Sequence, residues 1–113
     1  MLRDAYTIHM ISQEEHFVHR EVYAFAIQVR AARSLMGWSQ VELAKRSGVA
    51  RPTIARIETF AMQPRLDTVG KLKKAFQDQG LKMLDGEPRG GFSMIVTPEA
   101  LEQMMAKAIE GNL

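Results

Sequence analysis

Apolar positions fall into helical spacing along much of this chain. Val22, Ala26, Val29, Ala32 and Met36 recur three or four residues apart up to Gly37, which lines one face of an α-helix and predicts a first core helix. Ser39 follows as an N-cap, with Glu42 three residues on to return a hydrogen bond to its backbone and Val41, Leu43 and Ala44 for apolar contact. A second helix is therefore predicted to begin at Ser39 and to end before Gly48. Gly48 permits a sharp turn into a third helix, in whose first turn Pro52 is tolerated because the amide hydrogen it lacks would have no intrahelical partner. After a loop over 59–64, Leu66, Val69, Leu72 and Phe76 predict a fourth helix, stopped at Gly80.

The period then changes. "LKML" and "FSMIVT" are short β-prone runs, and the glycines and proline of the intervening "DGEPRGG" suit a reversing loop, so a hairpin is predicted. Thr97 and Pro98 open a last helix, where Leu101, Met104, Met105, Ala108 and Ile109 follow the i, i+3, i+4, i+7, i+8 pattern and make a stripe that needs a surface to cover. At the other end "YTIHMI", residues 6–11, reads as a short strand, and Ser12 with Glu15 has capping-box spacing ahead of a helical stretch. The predicted organisation is an N-terminal extension over 1–20, a helical domain over 21–80 and a hairpin-helix extension over 81–113. The fold class is mainly α.

The third helix has two unlike faces. At 100° per residue from Arg51, Pro52 falls at about 100° and Arg56 at about 140°, whereas Ile57 and Ile54 fall at about 240° and 300°. The isoleucines are expected to be buried and the arginines presented outward.

Composition narrows the setting. A chain of 113 residues makes one domain with a small core. It has no cysteine, which excludes disulfides, thiolate zinc sites and thiol nucleophiles and fits a reducing compartment. There is no apolar run of about eighteen residues and no basic-then-apolar N-terminal segment, so neither a membrane span nor a secretory signal is expected. A cytoplasmic location follows. The net charge of +2 hides an asymmetry. Residues 21–76 hold ten Lys/Arg against four Asp/Glu, while the first twenty residues hold two against three and residues 77–113 three against six. A basic middle between mildly acidic ends suggests a polyanionic partner.

Other candidate chemistry is weak. His16 and His19 beside Glu15 lack a further strong ligand, so no metal is expected. Gly90 and Gly91 have neither a preceding buried strand nor a P-loop lysine, so no nucleotide cofactor is expected. No paired carboxylates or serine-histidine arrangement stand out, so no catalytic residue is assigned and the chain is read as a non-enzyme. Arg30, Lys45, Arg46, Lys71, Lys73 and Lys74 read as surface charge.

Residues 39–58, "SQVELAKRSGVARPTIARIE", resemble the helix-turn-helix of the phage-repressor and Cro-like regulators, the XRE family. In that family the pattern runs S-Q-x-x-L-A-x-x-x-G-V-x-x-x-x-I-x-x-x-E. Ser39, Gln40, Leu43, Ala44, Gly48, Val49, Ile54 and Glu58 stand in register without a gap, and the likeness extends over about 29–81. The resemblance implies a lambda repressor-like bundle of four or five helices with 51–58 as the recognition helix. It implies that Gln40 contacts the DNA backbone or a base edge, that Ala50, Arg51, Pro52 and Arg56 face bases, and that Thr53, Thr59 and Arg65 approach phosphates. It also implies a largely buried structural pair between Arg33 and Glu58. Two departures stand out: Ala50 replaces the usual polar cap of the third helix, and Pro52 leaves only apolar contact where a base is often hydrogen-bonded.

The function implied is a sequence-specific DNA-binding transcription regulator, a repressor acting as a homodimer on double-stranded DNA with a palindromic operator. Dimerisation would use the hairpin-helix extension or the N-terminal strand. The alternative is an antitoxin that binds a toxin and represses its own operon, distinguished by a neighbouring toxin gene or a co-purifying toxin.

Overall fold

The structure, a computed structural model, describes the backbone over residues 13–112 and the side chains of residues 20–111. The strand expected over 6–11, the Ser12–Glu15 capping pair and the side chains of His16 and His19 lie outside the described residues.

The first helix, α1 (Gln13–Met36), is longer than its apolar stripe alone predicts. Its opening residues are mostly polar, and they extend the helix by intrinsic propensity rather than by burial. From Phe25 onward packing takes over, and Phe25, Ala26, Val29, Ala32 and Met36 enter the core. The helix closes through Gly37 at φ 70°, with the Trp38 N–H donating to the Arg33 carbonyl at 3.0 Å, the six-to-one bond of a glycine-terminated helix.

Helix α2 (Gln40–Ser47) starts at Ser39, whose hydroxyl oxygen accepts from the Glu42 N–H at 3.0 Å. Only this half of the expected capping box forms. The Glu42 carboxylate faces Arg46, one turn on, with 3.7 Å to its Nε, because the cation attracts it more than a neutral N–H does. Gly48 adopts the left-handed conformation at φ 77°, its N–H donates to Ala44 at 2.9 Å, and the chain turns into helix α3 (Arg51–Glu58).

Helix α4 (Leu66–Gln77) buries Leu72, Ala75 and Phe76, while Val69 packs partly against the core. Leu66 departs from the predicted stripe at 88% exposure. It is the first residue of the helix, a turn before the bundle surface begins at Val69, so its side chain has nothing beneath it. Phe76 stacks on Trp38 with ring centroids 5.2 Å apart and joins the end of α1 to α4. The Arg46 guanidinium lies 4.4 Å above the indole on that assembly.

Strands β1 (Leu81–Asp85) and β2 (Phe92–Val96) pair antiparallel with Leu81 opposite Val96 and Asp85 opposite Phe92. Leu81 and Met83 point into the core against α4. Thr97 joins the hairpin to helix α5 (Pro98–Asn112): its hydroxyl donates to the Gly80 carbonyl at 2.5 Å and accepts from the Ala100 N–H at 3.3 Å. Helix α5 packs on α1 and β2 through Ala100 and Met104. The remainder of its predicted stripe, Leu101, Met105, Ala108 and Ile109, faces outward. The architecture is mainly helical, five helices and a hairpin among the described residues. None of those helices is long and apolar enough to cross a membrane.

Candidate nucleic-acid interface

Helix α3 is seated by Ile54 and Ile57, which pack against α1 and α2. Ala50, Arg51, Pro52 and Arg56 lie on its exposed side, and Thr53 is half-buried. Among the described residues neither guanidinium group of Arg51 and Arg56 has a hydrogen bond or an ion pair. Two forked cations therefore stand on one side of a helix whose diameter suits the major groove, and each fork matches the two acceptors of a guanine edge.

The start of α3 adds to the positive character. Ala50 has the extended geometry of an N-cap, φ −61° and ψ 139°, with no side-chain oxygen to close the first turn, and the first turn holds no acid. The Ile54 N–H reaches the Ala50 carbonyl at 3.1 Å, and Pro52 has no N–H to offer. The amides of Arg51 and Thr53 remain at the positive end of the helix dipole, an arrangement that favours an anion such as phosphate.

Behind the helix, Glu58 is 5% exposed and fully engaged. Arg33 Nε donates to its Oε2 and Nη2 to its Oε1, both at 2.8 Å, a two-point fork. The third corner of the guanidinium, Nη1, donates to the Trp38 carbonyl at 2.9 Å. These hydrogen bonds and the Glu58 charge hold the Arg33 pKa above the ordinary arginine value, against burial, which pulls it down. The pair locks the end of α3 to the end of α1. Gln40 belongs to the same cluster, since its Nε2 donates to Glu58 Oε1 at 3.1 Å. The resemblance points Gln40 outward; the structure gives one of its amide hydrogens an internal partner and so fixes the side chain at the start of α2.

Thr59 also has an internal task. Its hydroxyl donates to the carbonyls of Ala55 at 3.0 Å and Arg56 at 3.3 Å, covering carbonyls at the end of α3. In this arrangement it has no hydrogen left for a phosphate. Arg65, exposed in the loop before α4, lies 3.8 Å from Asp67 through its Nε, a solvated pair that leaves the rest of the fork open. Of the cations read as surface charge, Lys73 pairs with Asp85, and Lys74 with Asp78 at 2.9 Å.

Sequence reasoning missed the link from Gln40 to Glu58, although the spacing of Gln40 from Ser39 marked it as the first helical residue. It missed Gln28 altogether, a side chain 1% exposed on the core face of α1, because nothing in a helical pattern distinguishes a buried glutamine from a solvated one.

A short helix held from behind by apolar side chains and a buried ion pair, turned at a left-handed glycine and cationic in front, is the reading head of a DNA-binding protein. Residues 29–77 match the family described as helix-turn-helix, and this match places the chain in the XRE, lambda repressor-like family. The chain is a DNA-binding transcription regulator. No curated protein matches it.

Proposed function

We propose that the chain is a repressor that binds a palindromic operator as a homodimer and obstructs transcription by occupancy. Arg51 and Arg56 read base edges, Ala50 and Pro52 offer apolar contact to a thymine methyl, and Thr53, Gln40 and Arg65 hold phosphates. Thr59 contributes by fixing the end of the helix. The observation that carries this reading is the pair of unpartnered guanidinium groups on the exposed face of α3.

The dimer surface is the hairpin-helix extension over 81–113. Leu101, Met105 and Ile109, one turn apart on α5, are each about half exposed, as are Ile95 and Val96 on the adjoining β2. A second copy is the occupant that also supplies a second reading helix, about one duplex turn (~34 Å) from the first. The first turn of α5 contains Glu99 and its last turn contains no basic residue, so DNA has no electrostatic attraction to this face.

Selection of bound sequences from random duplex at physiological salt tests the reading. A motif with two-fold symmetry and half-sites about one turn (~10 bp) apart is expected. A single asymmetric half-site contradicts the dimer, and recovery of no motif contradicts the repressor. If the antitoxin reading holds instead, the chain captures a toxin encoded beside it through the same apolar face.

A further inference from the structure

A cavity of about 490 Å³ opens between α1, the start of α4 and the ends of the hairpin loop. Its walls are largely apolar and come from three segments distant in sequence, with Phe25 on α1, Pro64, Leu66 and Val69 around the start of α4, and Phe92 on β2. Three features mark it as more than a packing gap. Its size is that of a small-molecule cleft rather than of a space for one or two waters. Gln28, also in its wall, is 1% exposed and its Nε2 has no hydrogen-bond partner. Leu66 at the rim is 88% exposed, an apolar side chain that nothing in the fold covers.

An unpaired buried amide donor is unfavourable in a folded chain and calls for an acceptor. Arg20 supplies a second donor group on the same cavity. Its guanidinium lies beside Gly90, where an added Cβ would meet Nη2 at 3.5 Å. Of the two carboxylates on the lining, Asp85 is engaged by Lys73, and Glu21 is exposed to solvent. Walls that are apolar, with donors at hand and one acceptor already occupied, suit a molecule with an apolar ring body and an oxygen acceptor at one end.

We propose that this cavity binds a small, ring-containing organic molecule bearing a carboxylate or amide oxygen, and that the molecule is an effector of DNA binding. A modest rotation of the Gln28 side chain presents its N–H to that oxygen, while the ring covers Leu66. The effector role rests on the DNA-reading function proposed above. Gln63, Pro64 and Leu66 line the cavity and flank Arg65, assigned there to a phosphate, so a ligand that orders this loop changes the loop's fit to the duplex.

The test uses the full chain and three probes that share one bicyclic ring: indole-3-acetate, indole-3-acetamide and tryptamine. Titration followed by the side-chain amide resonances of Gln28 is expected to show saturable shifts with the first two. Tryptamine, an ammonium without an acceptor, is expected to bind at least about tenfold more weakly. Gln28→Met, of similar length and still apolar, is expected to weaken indole-3-acetate at least about tenfold while the protein melts at the same or a higher temperature. The site is overturned if tryptamine binds equally, if Gln28→Met leaves the affinity unchanged, or if no probe at millimolar concentration moves the Gln28 amide, in which case water alone fills the cavity. Saturating indole-3-acetate is then expected to change operator affinity about fivefold, and Gln28→Met to abolish the change. Probe binding with no effect on an intact operator complex overturns the effector role alone. Probe binding by a chain that binds no DNA overturns the reading of α3 and leaves the cavity standing.

Discussion

Glu58 meets Arg33 and Gln40 in a pocket closed from water, so its negative charge is tolerable only while those donors remain. Glu58→Ala strands the Arg33 guanidinium, and the expected loss of stability is about 3 kcal/mol, the low end for a broken buried pair because one edge of Arg33 still meets solvent. Chemical denaturation of the variant checks this; a loss below about 0.5 kcal/mol would mean the pair is no better than a surface contact. The raised pKa of Arg33 sets the pH window. A cationic group with a raised folded-state pKa contributes its full stabilisation below its unfolded value and loses it only as pH climbs through the folded one. That range lies in strong alkali, so this contribution is flat across neutral pH. The partners of Glu58 were only half legible in the sequence. Arg33 followed from the family likeness, whereas Gln40 carries a family role that points outward and gave no sign of an inward bond.

At the scale of elements, the uncapped start of α3 separates folding from function. Ala50 already has N-cap geometry, so Ala50→Ser should close the first turn and raise stability by about 1 kcal/mol, seen as a melting temperature several degrees higher. Ala50→Asp should stabilise similarly but weaken DNA binding about tenfold or more, since it sets a carboxylate where phosphates approach. If both variants bind DNA as the parent does, the start of α3 does not face the duplex. Helix existence and order were legible because spacing, Ser39 and Gly48 all act within a few residues. The hairpin was legible from its turn residues. What spacing cannot give is which side of an apolar stripe meets a partner. Leu66 and Leu101 keep helical register with buried neighbours, yet each lies beyond the edge of the surface that its helix covers. The early start of α1 was likewise hidden, because residues held by propensity alone leave no apolar period.

The whole molecule brings together a basic reading face and an apolar strip on α5 and β2. Replacing Leu101 and Met105 by glutamate should leave the melting transition within about 1 kcal/mol of the parent, since both side chains are already half in water. Sedimentation should nonetheless show a monomer, and operator affinity should fall about a hundredfold or more as the second half-site is lost. A dimer that survives both charges places the interface elsewhere.

The most direct measurement of the reading face is the ratio of affinities for the selected operator and a scrambled duplex, taken at one salt concentration for the parent, Arg51→Ala and Arg56→Ala. The parent ratio is expected to reach about a thousandfold or more, and each variant to lower it about tenfold, the value of one lost guanine contact per half-site. A parent ratio near one, or a ratio that neither variant changes while both bind all DNA more weakly, would reduce the two arginines to phosphate contacts and contradict the account.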